Sequence, residues 1–148
     1  MSESVAPDVI AWLVTTWSGV LDIPVYDGPQ AFDATDRKAL LYVGHDPDDD
    51  GAAIRSEFEW SQIGLRRKDE VVEIANTIAV WTGDASVVPR RADALAYFEA
   101  CASAHRSDIS MGGLLIDSSI TNYAMRQGQS ELGAEVRIAF TVRARARI

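Results

Sequence analysis

The chain has 148 residues, 47% of them hydrophobic, and a net charge of −8 at neutral pH. Such a length sets a single domain, residues 1–148, as the expectation, with apolar content enough for one core. The acidic balance argues against a nucleic-acid binder, which carries a dominant basic footprint, and no run of about eighteen apolar residues predicts a membrane-crossing helix.

The opening stretch "MSESVAPDV" is acidic and lacks the basic start, apolar middle and small-residue cleavage site of a signal peptide, so a protein assembled in the cytoplasm is expected. "APDVIAWLVTTWSG" predicts a first helix. Pro7 suits the first turn, Asp8 complements the helix N-terminus, and Gly19 is a stop signal. Val9, Leu13 and Thr16 form one stripe and Ile10, Val14 and Trp17 the adjacent one. Trp12 and Trp17 are read as packing anchors. "IPVYDGP" is a short extended piece broken by Asp27, Gly28 and Pro29, and "KALLYVG" is an apolar strand ended by Gly44.

Beyond an acidic stretch, "SEFEWSQIG" alternates, with Phe58 and Trp60 on one face and Glu57, Glu59 and Ser61 on the other. "LRRKDE" is a polar turn. "EVVEIANTIAVWTG" is a long strand with Val72, Ile74, Ile78 and Val80 on one side, ended by Gly83 and Asp84. A second helix is expected between Val87 and His105, opening near Pro89, with Val88, Ala92, Leu95, Phe98 and Ala102 on its apolar face. "MGGLLIDSSITNYAMRQ" reads as a long, bulged strand, and "GQSELG" as a turn. "AEVRIAFTVRARARI" alternates most cleanly: Val136, Ile138, Phe140 and Val142 point one way, and Arg137, Thr141, Arg143, Arg145 and Arg147 the other. Strands grouped before and after a helix indicate an α+β class: a mixed, largely antiparallel sheet packed with two main helices. Its long strands and free C-terminal edge invite pairing with another chain. Leu41, Val43, Ile74, Ile78, Leu95, Phe98, Ile138 and Phe140 are the expected core.

"GHDPDDDGAAIRSE" has the spacing of an EF-hand loop, with Asp46, Asp48 and Asp50 at loop positions 1, 3 and 5, Gly51 at 6 and Glu57 at 12. The setting opposes it. A strand precedes the loop, Gly44 and Pro47 oppose an entering helix, Ala53 stands where the loop's hydrophobic residue belongs, and no second hand exists. A solvated acidic turn is the expectation, and no metal is assigned. Cys101 is the only cysteine, and His45 and His105 the only histidines. These numbers exclude an intrachain disulfide and any cysteine- or multi-histidine zinc site. Cys101 is read as a buried structural thiol. Neither histidine lies in a nucleophile motif, and "SMGGLL" is no nucleophile elbow; Gly112 and Gly113 suggest a bend or bulge at a strand start. "VYDGPQ" and "VWTGDAS" lack the lysine and spacing of a phosphate loop. No enzyme and no cofactor are expected.

The charges are uneven. Residues 1–74 hold 15 acids and 6 bases, whereas residues 75–148 hold 7 acids and 8 bases. Within the last strand, Arg137, Arg143, Arg145 and Arg147 share one face, and the half they belong to has no lysine. Arginine is favoured where a fixed fork meets carboxylates, so this row is the candidate assembly interface with an acidic surface.

The layout resembles the tail terminator (tail-completion) proteins of long-tailed bacteriophages. The likeness is carried by an amphipathic first helix, "VYDG", a strand ending "LYVG", and "RRKDEVVEIANTIAVWTGD" feeding a helix that begins with arginines. A closing "GAEVRIAFTVRARARI" completes it. The resemblance implies an α+β subunit of a hexameric ring at the head-proximal end of the tail, in the virion. Such a ring stops tube growth and offers the head-tail connector protein a docking surface; its partners are its own copies, the tail tube protein and the connector. It implies no cofactor, no membrane and no direct nucleic-acid contact. The alternative is another head–tail joining or soluble binding domain, with a calcium-binding module less favoured.

Overall fold

A computed structural model describes residues 4–29, 39–49, 51–62, 67–81, 86–130 and 133–147. Its order is α1 (Ala6–Val20), β1 (Val25–Asp27), β2 (Ala39–Val43), β3 (Ile54–Gln62), β4 (Arg67–Trp81), α2 (Val87–Arg106), β5 (Asp117–Ser130) and β6 (Gly133–Arg147). The six strands form one mixed, mostly antiparallel sheet in the order β1-β2-β4-β6-β5, with β3 also paired to β4. Among the described strands, only β1 and β2 run parallel. The α+β architecture expected from the sequence is the one observed.

β4 organises the sheet. On one flank its second half pairs with β2, Leu41 opposite Ile78, and its first half with β3, Ser56 opposite Val72. The other flank is taken along its length by β6, from Asp69 opposite Arg147 to Trp81 opposite Glu135. Alternation then sorts the side chains. Val72, Ile74, Ile78 and Val80 lie with Val136, Ile138, Phe140 and Val142 on one buried face, against Val9, Leu13 and Trp17 of α1 and Ala94, Phe98 and Cys101 of α2. Phe140 sits between Trp17 and Phe98, at ring-centroid distances of 5.6 and 5.2 Å. Trp17 also donates its indole N–H to the Cys101 carbonyl at 3.2 Å, tying α1 to α2. Asn76 interrupts the apolar row of β4. It is buried, yet satisfied by the carbonyls of Ile74 and Phe140 and by the Gly44 N–H.

Four expectations are corrected. First, α2 is rolled by about a quarter turn from the expected face. Ala94, Phe98, Cys101, Ala102 and His105 are buried, whereas Val88 is 64% exposed, Ala92 is exposed and Leu95 is half-buried. Small Ala94 and Cys101 sit against the sheet, and His105 finds a polar partner there, so the larger apolar side chains are not the ones turned fully inward. Second, β5 begins at Asp117 rather than Met111. Met111, Gly112 and Gly113 all have positive φ, and Asp108 closes their turn by accepting from the N–H groups of Ser110 and Gly112. The bulge lies further on, between Ile120 and Asn122. Third, β6 is no edge: it lies between β4 and β5. Fourth, residues 67–69 of the expected turn "LRRKDE" belong to β4 and residues 128–130 of "GQSELG" to β5, where pairing with β3 and β6 extends the strands; Asp50, Lys38, Gly83, Asp84 and residues 65, 66, 131 and 132 fall outside the described residues.

Candidate assembly face

The face of the sheet turned away from the helices carries the arginine row. In the β4–β6 register, Arg147 stands opposite Asp69, Arg145 opposite Val71, Arg143 opposite Glu73 and Arg137 opposite Ala79. The acids that meet the row come from the same chain. Arg145 donates from Nε to Asp69 at 3.0 Å and from Nη2 to Glu59 on β3 at 2.7 Å. Arg147 donates from Nε to the other Asp69 oxygen at 3.2 Å. Arg137 donates to Glu135 at 2.6 Å and to Asp48 at 2.8 Å. Arg143 and Glu73 are 3.9 Å apart and both well exposed, a loose pair.

Asp69 is the anchor of this network. Its side chain is only 6% exposed, and each carboxylate oxygen accepts from a different arginine. For Arg137, burial works to lower the guanidinium's affinity for its proton, but Glu135 and Asp48 outweigh it and hold the pKa above the usual arginine value. Four acids of the N-terminal half, Asp48, Glu59, Asp69 and Glu73, are thus placed against arginines of β6 by the acidic loop, β3 and β4. Beside Arg137 an open recess is lined by Asp48, Arg126, Glu135 and Arg137. It brings two acids and two bases together and lacks the apolar walls of a small-molecule pocket.

The calcium-like spacing is not assembled into a hand. β2 and β3, both strands, flank the loop. Asp48 is committed to Arg137, Asp46 accepts from the Asp48 N–H, Asp49 accepts from the Gly51 N–H, and Glu57 is exposed on β3; Asp50 is outside the described residues. Among the described residues no group of three metal-ligating side chains converges.

Two polar sites had no clear signature in the sequence. Glu70, fully buried on β4, accepts from the Val5 N–H at 2.7 Å, from the Ser4 hydroxyl at 2.5 Å and from the Ser56 hydroxyl. It thereby caps α1, whose own N-cap residue, Val5, has no side chain able to do so. His105 Nε2 lies 2.6 Å from the Ser118 hydroxyl, which donates to the Ile109 carbonyl. That hydroxyl proton is therefore spent, and His105 must donate, which locks α2 to β5 rather than activating a nucleophile. Burial pushes the Cys101 thiol up to about 12, the signature of an inert structural cysteine.

No protein-family model matches the chain, and no curated protein matches it. Among solved structures it is similar to a chain from the virion of a native gene transfer agent particle. The two are 13% identical with a TM-score of 0.58, over 99% of this chain and 100% of the other. At that identity the likeness is one of fold.

Proposed function

We propose that this chain is a structural protein of a phage-like virion, and within it the tail terminator: a ring subunit that caps the finished tail tube and receives the head connector. The observation that carries the reading is the end-to-end fold likeness to a chain of a gene transfer agent virion, joined to the sequence pattern of tail terminators. In this reading the chain binds its own copies, the tube and the connector, and performs no chemistry. The exposed parts of Arg143 and Arg147, beyond their bonds within the chain, meet acidic groups of the next subunit or ring. Such contacts are worth little singly, ~0–1 kcal/mol each, but repeated around a ring they set register and partner choice.

Electron micrographs and native mass of the purified protein test the reading. Rings, at a multiple of 16.1 kDa, are the expected result, and loss of the gene is expected to leave tails of uncontrolled length unjoined to heads. A protein that stays monomeric alone and with tail tubes, and whose loss leaves tails joined and of normal length, overturns it.

A further inference from the structure

The sheet has three edges among the described residues, and they are not alike. β1 is three residues long and flanked by Pro24 and Pro29, which blunts it. β3 carries Arg55, Glu57 and Glu59. β5 runs for fourteen residues, pairs only with β6, and holds a single acid, Asp117, a single base, Arg126, and neither proline nor lysine. A long, nearly uncharged edge is a template for another strand, and natural proteins leave one open where a partner covers it.

What fits that edge is on the opposite flank of the same sheet. Counting antiparallel pairs from β3 through β4 and β6 to β5, β3 runs antiparallel to β5. A second copy placed beside the first without being turned over therefore offers its β3 with the right polarity. Glu57 and Arg126 share the arginine-bearing face, are both exposed, and, among the described residues, are in no ion pair, unlike Glu59, Asp69 and Glu73 beside them. With Glu57 opposite Arg126, Phe58 falls opposite Met125 on the other face, Glu59 opposite Ala124, and Arg55 opposite Gly128, so no like charges meet. Phe58 and Tyr123, 52% and 53% exposed, both stand on that helix-side face. The regular stretch 54–60 of β3 then lies against 123–129 of β5, and the irregular steps of both strands, Trp60/Gln62 and Ile120/Asn122, fall together at its end. Pairing β5 with β5 of another copy would leave the β3 edge open; head-to-tail pairing closes both.

We infer that β5 of one copy takes β3 of a second copy as an antiparallel neighbour, with Glu57 opposite Arg126, so that the sheets of successive copies continue as one around the assembly. This rests on the ring reading and names its subunit contact. The test is a charge swap followed by native mass. Because neither residue is in an ion pair among the described residues, Glu57→Arg and Arg126→Glu should melt as wild type does, yet each should weaken association about tenfold or more. The double variant should restore it. Independently, Glu59→Cys combined with Ala124→Cys should give a ladder of multimers with a short bifunctional thiol crosslinker, and neither variant alone should; buried Cys101 stays silent. Rings that persist in both single reversals, a double variant that fails to recover, or an absent ladder overturn this contact and leave the ring reading standing. Self-crosslinking by Ala124→Cys alone overturns it in favour of β5–β5 pairing. A wild-type protein at 16.1 kDa at every concentration overturns both.

Discussion

His105 shows how one side chain couples packing to pH. It is 3% exposed, and burial first, with the Arg106 guanidinium beside it second, holds its pKa below the usual histidine value of 6.5. As pH falls through about 6.5, the unfolded chain binds a proton that the folded chain refuses, so stability drops until the folded value is also passed; above about 6.5 the group contributes no slope. Denaturant midpoints measured between about pH 7.5 and pH 5.5 should therefore fall, and His105→Gln should flatten the decline; equal slopes in the two proteins would rule the group out as the cause. Phe98 makes a purely apolar case. It touches Phe140 and Tyr123, at centroid distances of 5.2 and 5.0 Å. Phe98→Ala should cost about 3–5 kcal/mol in a denaturant titration, and a loss near zero would mean that the surrounding aromatic rings close the cavity.

Among the elements, α1 depends on a residue far away in sequence. Glu70 supplies the acceptor that Val5 cannot, and its carboxyl oxygens sit at the positive end of the helix. Glu70→Ala should cost about 1.5–3 kcal/mol and speed amide exchange in the first turn of α1, with Glu70→Gln milder. Unchanged exchange there would show that Ser4, which accepts from the Ala6 N–H, caps the turn unaided. This contact also marks where sequence reading runs out. Period-two alternation made β6 legible almost to the residue, and β4 from Glu70 onward, because both faces of a sheet strand follow from its own pattern; the charged start of β4, residues 67–69, read as a turn. Nothing local in "KDEVV" distinguishes buried Glu70 from Asp69, one residue away on the other face, because each is defined by what crosses the sheet to meet it. The roll of α2 was hidden for a related reason: Val88 and Leu95 are more apolar than Ala94 or His105, but the sheet selects for fit. The arginine row was legible as a row, while its acids, placed there by strands β3 and β4, were not.

For the whole molecule, the outer face should separate into structural and free arginines. Arg145→Gln or Arg147→Gln takes a partner from nearly buried Asp69 and should cost about 1–3 kcal/mol; Asp69→Asn should relieve part of that loss. Arg143→Gln, whose pair is loose, should stay within ~0–1 kcal/mol. A double-mutant cycle measures the coupling, and additivity of Arg145→Gln with Asp69→Asn would reduce the network to a solvated face. The position of β6 also bears on how the protein is made. It follows the other described strands in the chain yet lies inside the sheet, paired to β4 on one side and β5 on the other. The β4–β6 ladder thus joins residues as remote as Asp69 and Arg147, an arrangement of high contact order that closes slowly. While a ribosome is still short of β6, β3 can already pair with β4, but β5 has no neighbour in the sheet and the arginine row is not yet made, so both the charged face and the β5 edge wait for β6.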